Sequence, residues 1–318
     1  MSAAQVAAGA LQVVGGVALA PLAGGLVQTT KARLQGRRGP TPLQPYRELR
    51  RLWGKSGVAP EPTTALYRAA PAIVAAAVFV SLLIVPIAGQ APDWGVGHDA
   101  LVLVGLLAMA RLAITLAAWD TGSGFALMGA GRDLTFAVFA EAVLLLVVVL
   151  AALPAGAGTD LVAMSAAATG EAIWREPAHW CAALAFVLVA LAEAGRQPVD
   201  NPDTHLELTM VHEAMVLEYS GRHLAMIEFG LALKLLLYMS LIGAVFLPVG
   251  MARSGDGWPA YAVGLAAYLA KLSVGAVLLG VFETAIAKMR VFRVPEFLGS
   301  ALMLGFLAIL LLFVSRGL

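Results

Sequence analysis

Apolar runs of about 20 residues recur along the whole chain, and they constrain the fold more than any other feature of the sequence. We find eight of them, at about residues 5–27, 66–88, 99–119, 134–154, 178–195, 222–248, 258–284 and 298–315. At about 1.5 Å per residue, a helix of this length crosses a hydrocarbon core about 30 Å thick. The chain is 60% hydrophobic and 13% charged, whereas soluble proteins carry about 25% charge. The sequence therefore predicts an all-α polytopic membrane protein, a single integral membrane domain over residues 1–318.

The basic residues indicate how the predicted helices are oriented. Most of the 21 lysines and arginines fall in four segments, at about residues 28–65, 120–133, 196–221 and 285–297. The opposite side has only Arg175, Arg253 and Arg316. By the positive-inside rule the four segments are cytoplasmic loops, and both termini then face the outer, periplasmic side.

The segment 196–221 concentrates charge in an otherwise apolar chain. Its sequence is RQPVDNPDTHLELTMVHEAMVLEYSG, and its titratable residues that we consider functional candidates are Asp200, Asp203, His205, Glu207, His212, Glu213 and Glu218. Asn201-Pro202-Asp203-Thr204 is a helix-start signal, so we expect a helix that runs to about Tyr219. At 100° per residue this helix carries Glu207 and Glu218 on one face, and His205, His212 and Tyr219 on the opposite face.

Three interpretations of this segment compete. HEAMV resembles the zinc-protease motif HExxH, but Val216 stands at the second histidine position. His205 and His212 are two turns apart, about 10 Å, which is too far for one metal ion. We therefore expect no metal site. Acid–base or proton-relay chemistry at a membrane surface fits the carboxylates and histidines better. A solvated amphipathic helix is the alternative, although it leaves the apolar LTM and AMVL steps unexplained.

Ionisable residues also occur inside or at the ends of the apolar runs, where charge is costly and usually faces a bundle interior or a wet cavity. They are Arg111, Glu141, Glu193, Glu228, Lys234, Lys271 and Glu283. The four glutamates fall near the predicted cytoplasmic helix ends, whereas Arg111, Lys234 and Lys271 lie deeper. This pattern favours a polar path for protons that enters from the cytoplasm and reaches the middle of the membrane. A purely structural network of ion pairs, with snorkelling at the helix ends, is the alternative.

The first two cytoplasmic loops carry further patterns. GRRGP, with Arg37 and Arg38, precedes YRELRRLW, which predicts a short amphipathic helix. This loop either only fixes the topology as a solvated basic loop, or it also lies at the headgroups or docks a cytoplasmic partner. The second loop begins WDTGSGFALMGAGRD, whose glycines match no nucleotide-binding motif. Asp120 and Arg132 are expected to pair across it.

The same loops carry a resemblance to a known family. The pieces RRGP with QPYRELRRLW, WDTGSGFALMGAGRD and RQPVDNPDTHLELTMVHEAMVLEYSGR stand in order on one predicted face. The chain resembles the membrane component related to subunit 1 of respiratory complex I, over all eight predicted helices. It is more similar to the version in membrane-bound [NiFe] hydrogenases of the formate hydrogenlyase and hydrogenase-4 type.

The resemblance assigns roles to some residues and departs from complex I at others. In that family the cytoplasmic loops seat a soluble electron-transfer module, and acidic residues lead from it into the membrane. Asp200, Asp203, Glu207 and Glu218 match the family's acidic loop, and its membrane-entry acids fall at Glu141, Glu193 and Glu228. Where complex I chains show an acid, this chain has His205, its loop is about three residues longer, and Lys55-Ser56 replaces Lys-Glu. These departures favour the hydrogenase branch and weaken a quinone site.

The resemblance implies a membrane-anchor and ion-coupling subunit of an energy-converting oxidoreductase in the bacterial inner membrane, with no catalytic centre or cofactor of its own. The [NiFe] centre and the iron–sulfur clusters would lie in partner chains, consistent with a single cysteine, Cys181, in this one. The expected partners are hydrogenase large and small subunits, antiporter-like membrane subunits and the lipid membrane, with no nucleic acid. The alternatives are a quinone-site subunit of a complex I-type NADH dehydrogenase and a stand-alone ion transporter.

Overall fold

The computed structural model describes residues 3–61, 63–89, 97–156, 158–200, 210–253 and 256–316. Throughout these ranges the regular secondary structure is helical, apart from two isolated β-bridges. The helices are α1 (Ala3–Leu34), α2 (Gln44–Trp53), α3 (Ala65–Ile84), α4 (Ala100–Asp120), α5 (Gly124–Ala155), α6 (Leu161–Ala167), α7 (Glu171–Arg175), α8 (Pro177–Glu193), α9 (His212–Val216), α10 (Gly221–Leu241), α11 (Trp258–Ala285) and α12 (Val294–Arg316). A π-helix, Ile242–Phe246, continues α10.

Seven helices of the described chain are long and apolar enough to cross a membrane. They are α1, α3, α4, α5, α10 with its π-helix, α11 and α12. The remaining predicted span, at 178–195, corresponds to α8, which has only 17 residues. It ends at Glu193 because Gly195, with a φ of 60°, turns the chain away from the helix axis.

α10 lies at the centre of the bundle. Its apolar window is 72% buried, compared with 28% for α11 and α12. It packs against α1 and α3, while α8 packs against α12 and α5, and α11 packs against α1. Leu233, Leu236 and Leu237 of α10 are fully buried. Side chains on α10 are therefore placed to meet groups from several neighbouring helices at once.

The predicted loop boundaries differ from the observed helices. α5 begins at Gly124, so most of the expected loop at 120–133 is helix. Its glycines allow close helix packing rather than flexibility: a Cβ on Gly129 would lie 2.8 Å from the Val211 carbonyl oxygen and 2.9 Å from the Ala214 Cβ. Similarly, α1 continues to Leu34 and α12 begins at Val294, which shortens the expected loops at 28–65 and 285–297.

The short helices near the loops confirm one prediction and correct another. YRELRRLW forms α2, as predicted. The helix expected to reach Tyr219 is wrong in its described part, because Met210 is not helical and α9 covers only His212–Val216. The Asp200 carboxylate accepts from the backbone N–H groups of Val211 and His212, which starts a helical turn there. Asp203, His205 and Glu207 lie outside the described residues.

The described parts of the loops between α1 and α3, between α8 and α10, and between α11 and α12 come together at one end of the bundle, which we call the basic face. Ser220 Oγ accepts from Val58 N at 2.9 Å, and Met289 N donates to the Pro198 carbonyl at 2.9 Å. The rings of Tyr67 and Tyr219 stack with centroids 4.2 Å apart. These contacts fix the segment after α8 against helices that begin or end at the same level.

Candidate functional site

A cluster of charged side chains is buried between four helices, and Arg111 of α4 is at its centre. The Arg111 guanidinium contacts the Glu193 carboxylate, lies 3.5 Å from Glu141 Oε1, and lies 3.8 Å from Asp133 Oδ2. Lys234 Nζ lies 3.0 Å from the other Glu193 oxygen. We call these five residues the Arg111 cluster. Their side chains are at most 10% exposed, except for Glu141 at 41%.

The Arg111 cluster lies deep in the predicted membrane layer. Lys234 is 13 residues after Gly221, the first residue of α10, which corresponds to about 20 Å along the axis. Arg111 is nine residues before Asp120, the last residue of α4, about 14 Å from that end. Unpaired charges at such a depth cost several kcal/mol. Mutual pairing therefore explains how five ionisable groups can be held there.

A second group, at the basic face, is built around Asp200, which is 1% exposed. Its Oδ1 lies 3.1 Å from Lys288 Nζ, and its Oδ2 accepts from the backbone of Val211 and His212. Burial raises the pKa of this carboxyl, but the His212 ring and the Lys288 ammonium outweigh burial and hold the pKa well below its usual range. Asp200 is therefore a fixed negative charge at neutral pH.

The His212 ring connects the two groups. Its Nδ1 lies 3.6 Å from Asp200 Oδ2, and its Nε2 lies 3.6 Å from Asp133 Oδ1. Titratable side chains, each within 4 Å of the next, thus follow in sequence from the basic face to α10. Their order is Lys288, Asp200, His212, Asp133, Arg111, Glu193, Lys234. We call this sequence of contacts the charged chain.

Glu283 forms a separate buried ion-pair site. Its carboxylate lies 3.0 Å from Lys31 Nζ of α1 and 3.4 Å from Arg196 Nη1, which follows α8. The Glu283 side chain is fully buried. This site joins α1, α11 and the segment after α8, so its geometry favours a structural role at the basic face.

A cavity of about 530 Å³ opens between α1, α2, α10 and the segment after α8. Its polar wall includes Lys31, Arg196, Asp200, His212, Glu213 and Glu228. Its apolar wall includes Leu49 and Leu52 of α2 and Leu231 and Leu235 of α10. The cavity therefore meets the charged chain at Asp200 and His212.

Comparison with known proteins identifies the family. The sequence pattern of the NADH dehydrogenase family matches residues 7–314. The chain belongs to this family. Hydrogenase-4 component C of Escherichia coli (strain K12) is 34% identical over 236 residues, which are 74% of this chain and 73% of that protein. Formate hydrogenlyase subunit 4 of the same organism is 29% identical over 299 residues, 92% of this chain and 93% of that protein.

Two further comparisons extend this result. An NADH-quinone oxidoreductase subunit of Koribacter versatilis (strain Ellin345) is 25% identical over 231 residues, 68% of this chain and 54% of that protein. The solved structure of the membrane-bound sulfane sulfur reductase, an archaeal respiratory membrane complex, contains a chain with a TM-score of 0.79 and 20% identity. The match covers 96% of this chain and 98% of that one. The resemblance stated from the sequence is confirmed, and the protein is a multi-pass membrane member of the family.

Several predicted site residues of this NADH dehydrogenase family member lie outside the charged chain. Lys271 Nζ donates to the Gly243 carbonyl in the π-helix at 3.1 Å. The predicted pair of Asp120 and Arg132 does not form. Asp120 accepts from the backbone and hydroxyl of Thr64 at the start of α3, and Arg132 donates to the Met210 carbonyl at 3.0 Å.

The remaining candidates lie at the basic face. Arg37 and Arg38 are exposed between α1 and α2. Glu213 and Glu228 line the cavity, and the backbone carbonyl of Glu218 accepts from the Tyr67 hydroxyl at 2.7 Å. In the described ranges, no group of three or more histidine, cysteine, aspartate or glutamate side chains is arranged to hold a metal ion.

Asp133, which joins His212 to Arg111, is not among the residues predicted from the sequence. The predicted loop at 120–133 includes Asp133, so the sequence prediction places it on no helix. The signal was nevertheless present: with Ala126, Ala130, Ala137 and Ala140 it falls on one stripe of alternating four- and three-residue spacing, and all five residues are buried in α5. A carboxylate on a stripe of small buried residues indicates a group that faces the bundle interior.

Proposed function

We propose that this chain is the membrane-anchor and ion-coupling subunit of an energy-converting respiratory-type oxidoreductase complex of the hydrogenase-4 or formate hydrogenlyase type. The observation that carries the proposal is the charged chain, which leads from a cavity at the basic face to Lys234 inside the bundle. Linked titratable groups across a membrane layer are the arrangement that proton movement requires. The names of two relatives support this assignment of the complex.

In this proposal the basic face is cytoplasmic and docks a soluble electron-transfer module. α2 supports this role because it lies at the basic face with no buried residue. Its last residue, Trp53, and the residue that precedes the helix, Leu43, are about half exposed. The docked partners are hydrogenase large and small subunits, which hold the [NiFe] centre and the iron–sulfur clusters. Antiporter-like membrane subunits bind this chain within the bacterial inner membrane. The exposed apolar faces of α11 and α12 are consistent with contact to lipid and such subunits.

The coupling chemistry follows from charge. The Arg111 cluster contains three carboxylates and two bases, so it carries one negative charge more than positive when every group is ionised. A proton taken up by one carboxylate neutralises that excess and changes the attraction felt by Lys234 and Arg111. A change of charge or shape in the docked module at the cavity would change the protonation of these carboxylates. Ions would move in response to that change in charge. The chain itself performs no redox step.

The experiment that tests the proposal is recovery of the complex. A tagged chain is purified in mild detergent from its native host, and the co-purifying proteins are identified by mass spectrometry. The proposal expects hydrogenase large, small and iron–sulfur subunits together with further membrane subunits. Recovery of the chain alone, with ion flux by the purified chain in liposomes, would instead support a stand-alone transporter.

A second candidate function is quinone binding in a complex I-type assembly. The observation in its favour is the cavity, whose leucines from α2 and α10 face a polar wall at one end, and a relative of this chain is a subunit of an NADH-quinone oxidoreductase. A photoreactive quinone analogue decides between the two. Labelling of cavity residues during turnover would favour this candidate, whereas an assembly that turns over while this chain stays unlabelled excludes it.

A further inference from the structure

His212 occupies a position that no other described titratable group shares. It is the first residue of α9 and lines the cavity. Its ring lies between a carboxylate of the loop, Asp200, and a carboxylate of a membrane helix, Asp133, at 3.6 Å from each. Asp133 does not line the cavity, so the ring separates the cavity from the Arg111 cluster. The side chain is 21% exposed while its Nδ1 atom is buried, so the part of the ring accessible to water does not include Nδ1.

The geometry leaves the ring close to both carboxylates without fixing it to either. A hydrogen bond from an imidazole nitrogen to a carboxylate oxygen is usually about 2.7–3.2 Å long, so both 3.6 Å contacts are slightly too long. A small shift of the ring toward one carboxylate completes one hydrogen bond and lengthens the other contact. Gly195 lies beside this edge of the ring, where a Cβ would be 3.2 Å from His212 Nδ1. Nδ1 itself is buried, so the ring is enclosed on this side.

The ring lies among charged groups from several elements. The nearest are the two carboxylates, and each has a cation on its far side, Lys288 for Asp200 and Arg111 for Asp133. The other charged groups that face the cavity with His212 are Lys31 on α1, Glu48 and Arg51 on α2, Glu228 on α10, Arg196 after α8, and Glu213 on α9 itself. A protonated His212 would also balance the excess negative charge of the Arg111 cluster.

We propose that His212 is the proton relay between the cavity and the Arg111 cluster, an inference that rests on the proposed function. Nδ1 is buried beside Asp200, and its proton stays there throughout. A proton from cavity water binds the lone pair of Nε2, and the ring becomes an imidazolium. The ring then releases this proton from Nε2 to Asp133 Oδ1 and returns to the same neutral tautomer. Asp200 stays ionised throughout and holds the ring.

The test uses the whole complex in proteoliposomes, with proton movement and hydrogen turnover measured together. His212→Ala should slow proton movement on the order of 10²-fold, the usual contribution of a positioned proton-transfer group. Added imidazole should restore much of it, because the cavity is large enough to admit the free ring. Pyrazole has the same size but does not titrate near neutral pH, so it should not restore movement. His223→Ala, on α10 at the same face, is the matched control and should move protons at the wild-type rate.

The outcomes separate this inference from the proposed function. A wild-type complex that turns over hydrogen without moving ions would overturn the proposed function itself. If the wild-type complex pumps and the His212→Ala complex pumps equally well, only the relay is overturned. Restoration by imidazole and pyrazole alike would also overturn the relay, since it would indicate a space-filling role.

A second variant provides the test if the His212→Ala complex does not assemble. His212→Gln keeps a polar side chain but cannot accept and release a proton as imidazole does, so it should also slow proton movement on the order of 10²-fold. Proton movement at the wild-type rate in this variant would contradict the relay. If neither variant assembles, infrared difference spectra of the wild-type complex with ring-labelled histidine provide the test. A relay must show a histidine signal during turnover. Absence of this signal overturns the proposal.

Discussion

Lys234 Nζ lies 3.0 Å from Glu193 Oε2, so the last residue of α8 is paired with a residue in the middle of α10. The oxygen is within ion-pair distance, although the angle is not that of a hydrogen bond. Both side chains are buried, at 10% and 1% exposure. Because α8 is short, its last residue, Glu193, lies at the depth of Arg111 and Lys234, and its carboxylate contacts both of these bases.

The pair should show strong energetic coupling. Glu193→Gln alone and Lys234→Gln alone each leave a buried charge without its partner, and each should lower the free energy of unfolding by about 3–5 kcal/mol. The double variant should lose less than the sum, by about 0.5–3 kcal/mol. Denaturant unfolding of the four proteins in one detergent measures this cycle. Strictly additive losses would show that the two side chains do not interact.

Two glycines of α5 provide a matched test of the packing between α5 and α9. Gly129→Ala would place a Cβ 2.8 Å from the Val211 carbonyl oxygen, and such overpacking should destabilise the protein by about 1–3 kcal/mol. Gly131 is exposed and has nothing within 4 Å of the corresponding position. Gly131→Ala should therefore be neutral or stabilise the helix by up to about 1 kcal/mol. Thermal unfolding of both variants is the measurement, and equal losses would contradict the close approach.

The lowered pKa of Asp200 predicts how its contribution depends on pH. A carboxyl with a pKa lower in the folded than in the unfolded state stabilises the fold above its ordinary value of 3.8, and this contribution disappears as the pH falls further toward the folded value. Asp200→Asn should cost about 1.5–3 kcal/mol at neutral pH. The difference from wild type should stay constant between about pH 7 and 5. A difference that shrinks within that interval would mean that Asp200 titrates with an ordinary or raised pKa.

The proposed orientation can be tested by labelling with a membrane-impermeant maleimide in a Cys181→Ala background. Arg175 and Lys55 are both exposed, on opposite faces of the bundle. Arg175→Cys should react in intact cells, and Lys55→Cys should react only after the cells are opened, because the basic face is proposed to be cytoplasmic. The reverse pattern would invert the topology and place the cavity on the outer side.

The sequence was sufficient for the parts of the fold that depend on local composition. Apolar runs located the membrane helices, and the pattern of YRELRRLW identified α2. The charged residues Arg111, Glu193 and Lys234 were singled out because charge in an apolar run is rare. Their mutual contacts could not be predicted, since they depend on how α4, α8 and α10 pack and on distances that no single-chain pattern encodes.

Two errors have a common physical cause. The start of α5 is predicted too late and the helix toward Tyr219 too long, because both boundaries depend on tertiary contacts. α5 begins early where Gly129 allows α9 to approach, and α9 begins late where the Asp200 carboxylate binds two backbone N–H groups. Local propensity cannot reveal either contact. Lys271 illustrates the same limit, since its partner is a carbonyl of a π-helix that the sequence does not indicate.

The measurement that tests the central claim most directly is the number of ions moved per hydrogen turned over in proteoliposomes that contain the whole complex. The double variant Glu193→Gln, Lys234→Gln removes the inner end of the charged chain. It removes one negative and one positive charge together, so the formal net charge does not change. Asp256→Asn, at an exposed position on the opposite face, is its control. We predict that the double variant keeps hydrogen turnover but loses most ion movement, while the control keeps both. An unchanged ratio in the double variant would contradict the claim that the charged chain couples the two processes.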